Sequence, residues 1–323
     1  MPFRLYNLDA LGNNVLRLLY IKFICFDLVH SFWCLLVARV YVIDSTPEGE
    51  GIVSVYLVSG ERYSALIDSG PSNGSPRVLE FIRGLGLGVD YIILTHVHID
   101  HGGGAGVLSD ALGSGVFVHP RGLKHVVDPS FLWEQSRQAL GPVALYYGEP
   151  TPVESSRASQ VGDGVLVDLG GATLKIIHTP GHASHHLSVY LVEEGLMFTG
   201  DSAGVIVDGH VRVPTTPVPL KPKLYIESLR RMIAERPRRV AIAHYGLVEG
   251  GLEYLEWHLN EIVRWLDEVY RITASGVTDP VDVADRLAER LDNARVAKAS
   301  RISHLYYNTV AGITRAILEG EWP

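Results

Sequence analysis

Beyond residue 34 the chain contains no cysteine; Cys25 and Cys34 are its two. That excludes a disulfide framework or a thiolate metal site for the rest of the molecule and points to a reducing, cytoplasmic setting. Basic charge is short as well. Lys and Arg number 28 against 36 Asp and Glu, a formal charge of −8, where a general nucleic-acid binder would present a basic excess. The expected partner is a small-molecule substrate rather than nucleic acid, with a homodimer left open. Long apolar runs are missing too. Val15 to Val40 is strongly apolar, but Arg17, Lys22, Asp27 and Arg39 interrupt it. Its longest uncharged stretch, Leu28 to Ala38, is too short to span a bilayer, so no transmembrane segment is expected. A secretory signal, with its early basic region and small-residue cleavage site, is not evident. Residues 1–38 read as an amphipathic packing segment, a membrane-surface anchor, or an N-terminal extension upstream of the true start. The last is favoured: strand alternation begins only at Arg39-Val-Tyr-Val-Ile-Asp44, and a valine codon near Val37 would serve as a start.

What is present is ample core material: 47% of the 323 residues are hydrophobic and 20% charged, enough for one large domain with an appendage or for two domains. Strand patterning over 52–58 and 63–67, a short helix over 76–85 and a buried strand at 89–94 open the series. A short helix to Leu112 and a strand at 116–118 follow. Arg121 to Leu140 reads as helical and Gly148 to Gln160 as polar chain, so 121–160 is taken as an insertion rather than a core element. Strands resume at 165–169, 172–177, 187–192, 196–199 and 240–243, with a helix over 225–235. After Gly251 the chain is helical. Leu252, Leu255, Leu259, Ile262, Leu266 and Val269 form one apolar stripe, and Asp279 caps a helix that begins at Pro280. These patterns divide the chain at about residues 39–250 and 251–323.

Chemistry concentrates at His96-Val-His-Ile-Asp-His101, directly after a buried strand. Side chains two apart in extended chain point the same way, so His96 and His98 can grip one cation together. The turn through Gly102-Gly-Gly104 can redirect Asp100 and His101 toward a second ion, glycine letting the backbone approach a charged centre. Imidazole plus carboxylate without thiolate suits zinc first, with iron or manganese as alternatives. An ordinary polar loop would not gather three histidines and an aspartate into six residues.

This His-x-His-x-Asp-His pattern resembles the signature of the metallo-β-lactamase superfamily. Asp68-Ser-Gly70, Thr179-Pro-Gly-His182, Thr199-Gly-Asp201 and His244-Tyr-Gly246 resemble its other motifs, in order. The resemblance implies an α+β fold, a four-layer αββα sandwich, here with a C-terminal helical extension. It makes 39–250 the catalytic domain and 251–323 an added helical region. It also implies two divalent metal ions: His96, His98 and His182 on the first, Asp100, His101 and His244 on the second, and Asp201 bridging. Asp68 would orient ligands, and His186 matches a position where thioester-hydrolysing relatives often carry histidine. Two cations would make hydroxide available at neutral pH, with Asp100 as the catalytic proton shuttle.

Within the superfamily the chain looks most like a glyoxalase-II-like branch, in an uncharacterised archaeal and bacterial subgroup. The expected reaction is metal-dependent cleavage of a small ester-type substrate, a thioester first. The stretch 205–219 lacks the basic and aromatic residues that hold glutathione in such enzymes, which counts against glutathione as carrier. Alternatives are a mononuclear iron persulfide dioxygenase, a lactonase, and a metal-binding scaffold without activity. Phe131, Trp133, Tyr146 and Tyr147 of the insertion, with Tyr306 or Tyr307 of the tail, are expected to wall the substrate pocket.

Overall fold

The computed structural model describes residues 38–207 and 211–322. The reading of the first segment as an upstream extension, and both cysteines, lie outside the described residues apart from Ala38.

The first half of the chain builds one six-stranded sheet. Its strands are β1 (Arg39–Asp44), β2 (Ser54–Ser59), β3 (Ser64–Ile67), β4 (Tyr91–Ile93), β5 (Gly115–Val118) and β6 (Ala158–Gln160), adjacent in chain order. β1, β2 and β3 pair antiparallel, and β3 to β6 pair in parallel. Parallel pairing needs crossovers, supplied by α1 (Ser75–Leu85) and α2 (Ala105–Leu112), then α3 (Leu123–Val127), α4 (Ser130–Leu140) and α5 (Pro142–Tyr147). The second half builds the other six-stranded sheet from β7 (Leu166–Asp168), β8 (Thr173–His178), β9 (Leu187–Leu191) and β10 (Leu196–Phe198). A hairpin of β11 (Val205–Val207) and β12 (Val211–Val213) leads to α6 (Pro222–Ala234). Strands β13 (Arg239–Ile242) and β14 (Gly246–Glu249) then complete the sheet, β13 lying parallel to β10.

Period-two alternation sorts the side chains into layers. On β2, Val55 and Leu57 join Leu66, Ile82, Ile92 and Leu108 under the helices, whereas Tyr56 and Val58 face the other sheet. There they meet Leu187, Val189, Leu191 and Phe198. The outer face of the second sheet, including Tyr190, Met197 and Val240, packs on α6 and on the tail. The order helix, sheet, sheet, helix is the expected αββα sandwich.

The tail comprises α7 (Gly251–Ala274), α8 (Pro280–Arg290), α9 (Asp292–Ala299) and α10 (Ser303–Leu318). Leu255, Ile262, Leu266 and Val269 are buried as the stripe predicts, in the same core as the second sheet, while Leu252 and Leu259 are half-buried. Tyr254, His258 and Trp265 widen the stripe. Asp279 caps α8 by accepting from the backbone of Val281 and Asp282. Among the described residues no helix is long and apolar enough to cross a membrane.

The insertion differs from expectation in two ways. The single helix expected over 121–140 breaks at Asp128-Pro129, because the residue before proline is pushed out of the helical region, and Asp128 accepts from the Ser130 hydroxyl. Its last residues, read as polar chain outside the core, form β6 and extend the first sheet beside β5.

Candidate metal centre

The ends of the two sheets converge on a cluster of imidazoles and carboxylates. Beyond β4 the chain bends at Thr95 and runs through His96-Val97-His98. Val97 and Ile99 are buried among apolar side chains, and the alternation turns His96 and His98 toward the second sheet. The turn into α2 then presents Asp100 and His101. Glycine is needed here for the turn itself: a Cβ on Gly103 would lie 2.2 Å from the Ile99 carbonyl oxygen.

Ring nitrogens meet closely. His98 Nδ1 lies 3.0 Å from His96 Nε2 and 3.1 Å from His182 Nε2. On the other side, His101 Nε2 and His244 Nε2 stand 3.7 and 3.5 Å from Asp100 Oδ2. Asp201 sits between these sets. Its Oδ2 is 3.3 Å from His182 Nε2 and 4.0 Å from His96 Nε2, and its Oδ1 is 3.3 Å from His101 Nε2 and 3.5 Å from His244 Nε2. The groups His96–His98–His182, His96–His101–Asp201 and Asp100–His101–His244 each bring their ligand atoms within 4.8 Å of one another and could hold a metal ion.

The opposite ring nitrogens fix the imidazoles. His101 Nδ1 donates to Asp68 Oδ2 at 3.0 Å, His182 Nδ1 to the Thr215 carbonyl at 3.1 Å, and His244 Nδ1 to the Ile52 carbonyl at 3.0 Å. Each proton held at Nδ1 leaves Nε2 as a bare lone pair aimed inward, the arrangement a cation requires. His101 Nε2, His244 Nε2 and Asp201 Oδ1 are buried with no hydrogen-bond partner. Three buried polar atoms without a hydrogen-bond partner in one spot suit a divalent ion.

The electrostatics agree. Burial, then His182, depresses the His98 imidazole to about 4, against the pull of Asp100 and Asp201. Burial and the neighbouring rings also push His96 well below its ordinary value. Burial would raise the Asp201 carboxyl, but His101, His244 and His182 hold it well below the usual range. Burial works against a charge on His101 too, yet the carboxylates of Asp201 and Asp100 raise it well above its ordinary value. Without an ion, one imidazolium has to supply the positive charge these carboxylates require.

Asp68 stands in left-handed backbone (φ 61°) and accepts from the Thr95 backbone N–H at 2.7 Å, the Thr95 hydroxyl and His101. His186 lies beneath the cluster rather than in its mouth. It is fully buried, with Nε2 accepting from the Asp201 backbone and Nδ1 beside the Thr179 and Ser202 hydroxyls. Gly200 makes room for it, since a Cβ there would fall 2.6 Å from His186 Nε2.

Of the expected pocket aromatics, Tyr306 is placed differently. Tyr306 is 1% exposed in the tail core, its hydroxyl donating to the Ala284 carbonyl and its ring edge-on to Trp265. It is a packing residue, because α10 turns that face onto α7 and α8. The Tyr146 hydroxyl donates to Glu50 Oε1 at 2.5 Å, tying α5 to the loop after β1. Phe131 is largely exposed, and Trp133 packs with Val53 and Ile99. Of the group, Tyr147 is the phenol that feels the centre: burial, then Asp100, Tyr146 and Asp201, raises it well above its ordinary value.

Two histidines without ligand spacing also bear on the site. His304, at the start of α10, has a buried Nε2 without a hydrogen-bond partner and interacts electrostatically with His244 and Asp100. His258 on α7 lies 3.0 Å from the Tyr225 hydroxyl, which donates to the Asp201 carbonyl. Nothing in their sequence surroundings marks either one, since their tail positions are brought here by tertiary packing.

Comparison with known proteins agrees with this geometry. The family model described as the metallo-beta-lactamase superfamily matches residues 49–244. A metallo-beta-lactamase fold-containing protein of Sulfurisphaera tokodaii is 36% identical over 71% of this chain and 86% of its own length. The solved structure of an archaeal metallo-beta-lactamase superfamily protein from Sulfolobus tokodaii superposes with a TM-score of 0.62 at 35% identity, covering 68% of this chain and 84% of that one. A hydroxyacylglutathione hydrolase of Aeromonas hydrophila is 29% identical over 46% of this chain and 45% of its length. The chain belongs to the metallo-beta-lactamase superfamily.

Proposed function

We propose that the chain is a binuclear metal-dependent hydrolase of small thioesters, zinc being the first candidate ion. The observation that carries this reading is the division of the Asp201 carboxylate, with Oδ2 toward His96 and His182 and Oδ1 toward His101 and His244. His96, His98 and His182 would hold one ion, Asp100, His101 and His244 the other, and Asp201 both. When bound, such ions polarise a substrate carbonyl and lower the pKa of water to about 7.

The protein's own groups do the rest. Asp68, Thr215 and Ile52 hold three imidazoles in one orientation, so no reorganisation is needed during the reaction. Asp100 is the more exposed ligand carboxylate, its side chain 14% accessible against 5% for Asp201. It is therefore the group placed to orient the attacking water, take its proton and return it to the leaving thiol. A thioester is favoured because the relatives include a hydroxyacylglutathione hydrolase and a thioesterase.

Metal analysis of the purified protein, paired with thioester, lactone and phosphodiester substrates, tests this. Two equivalents of metal and thioester turnover are expected. One iron with persulfide-dependent oxygen uptake would make it a dioxygenase, preferred lactone opening a lactonase, and full metal without turnover a scaffold.

A further inference from the structure

A groove of about 780 Å³ runs beside the centre, lined among others by Arg121, Lys124, His125, Ser184 and His185. Its volume lies in the range of small-molecule sites. In a chain with a surplus of acidic residues, no described residue lining this groove is acidic. Some cations elsewhere pair with carboxylates, as in Arg157–Asp110, Arg231–Asp163 and Lys298–Asp285. Arg121 and Lys124 form no ion pair among the described residues, and both project from the segment around α3. His185 links the groove to the centre. Its ring lies 6.3 Å from that of His96 and 6.2 Å from that of His98, and its buried Nδ1 has no hydrogen-bond partner. The groove is thus a wall-sharing neighbour of the first ligand set, with two cations and no acidic residue in its described lining.

We propose that this groove is an anion subsite for the carrier part of the substrate, receiving a thioester whose thiol portion bears phosphate or carboxylate groups. The inference rests on the thioesterase reading above and deepens it. With the scissile carbonyl beside His98, a carrier extending past His185 would bring its anionic groups to Arg121 and Lys124. These exposed cations act through steering and partly screened attraction.

The zinc-loaded full chain is assayed on three acetyl thioesters that differ only in the thiol: N-acetylcysteamine, neutral; glutathione, bearing carboxylates; and coenzyme A, bearing phosphates. At least one anionic carrier is expected to exceed the neutral one in kcat/KM by about tenfold, with a steep loss in added salt. That preference should collapse in Arg121→Glu/Lys124→Glu and survive charge reversal at Arg286, an exposed cation on α8. Which anionic carrier wins separates phosphate from carboxylate. Equal kcat/KM for all three, or an undiminished preference in the double variant, overturns the subsite and leaves the thioesterase reading standing. If no thioester turns over, the thioesterase reading fails and calorimetry decides the groove. Binding of coenzyme A or glutathione that the double variant loses supports it, and no binding to the unaltered chain overturns it.

Discussion

His186 accepts the backbone N–H of Asp201 at Nε2, 3.1 Å away, and so fixes the loop that carries the Asp201 carboxylate. The proton then resides on Nδ1, beside Thr179 Oγ1 at 2.8 Å. A phenylalanine would fill the space yet leave the Asp201 N–H buried without an acceptor. His186→Phe is expected to cost about 1–3 kcal/mol in urea unfolding of the metal-free protein, and to lower metal content. Unaltered stability and metal content would reduce His186 to a space-filling ring.

Asp68 acts one step away, through His101. Asn at this position keeps the volume but turns an N–H toward the His101 Nδ1 proton, now 3.0 Å from a carboxylate oxygen. Asp68→Asn should weaken metal retention about 10- to 100-fold, as losses of such supporting partners do. Competition with a graded chelator measures this, and an unshifted curve would remove Asp68 from the supporting set.

The strands and the His96–His101 cluster were legible because both rest on local pattern, whereas the sandwich and the places of His182, Asp201 and His244 came from the family resemblance. Alternating strands such as β2 and β9 carry their layer assignment in period two, and the motif residues stand at strand ends, where the backbone alone aims them. What escaped depended on distant packing. Tyr306 read as a pocket wall because aromatics in added elements are free to cover a site, but α10 turns it into the tail core. His304 and His258 reach the neighbourhood of the centre only through the docking of the tail. The strand β6 was hidden by its polar, three-residue sequence, half of whose surroundings come from β5.

The buried histidines predict an acid limb to stability. Burial depresses the His258 imidazole to about 3, against roughly 6.5 in an unfolded chain. Between those values the unfolded state binds a proton that the folded state refuses, so stability is complete above pH ~6.5 and falls as pH drops toward 3. His258 alone accounts for roughly 3 kcal/mol of loss by pH 4. His98 and other buried rings titrate alongside it, so the difference between wild type and His258→Gln isolates the contribution. The variant should be the less stable of the two at pH 8, with the gap closing on acidification. Parallel stability curves from pH 8 to pH 4 would show that His258 does not carry this share.

Tyr147 and Tyr306 are both nearly inaccessible phenols, 3% and 1% exposed, and the structure assigns them opposite consequences. Tyr306 donates to the Ala284 carbonyl at 2.6 Å inside the tail. Removing its hydroxyl takes away the second hydrogen bond of a helical carbonyl, so Tyr306→Phe should cost about 0.5–1.5 kcal/mol in denaturant unfolding and leave kcat/KM and carrier preference unaltered. Tyr147 packs against Val53, Ile99 and Ala144, and its phenol lies within the influence of Asp100 and Asp201. Taking away that hydroxyl changes the polarity beside the Asp100 carboxylate while keeping the ring. Tyr147→Phe should therefore shift kcat or KM several-fold with metal content held and melting temperature little altered, whereas Tyr147→Ala should also lose about 3–5 kcal/mol through the cavity it leaves. Measuring both phenylalanine variants on one thioester separates the roles. A kinetic change in Tyr306→Phe together with silence in Tyr147→Phe would return the tail tyrosine to the pocket wall and take Tyr147 out of it.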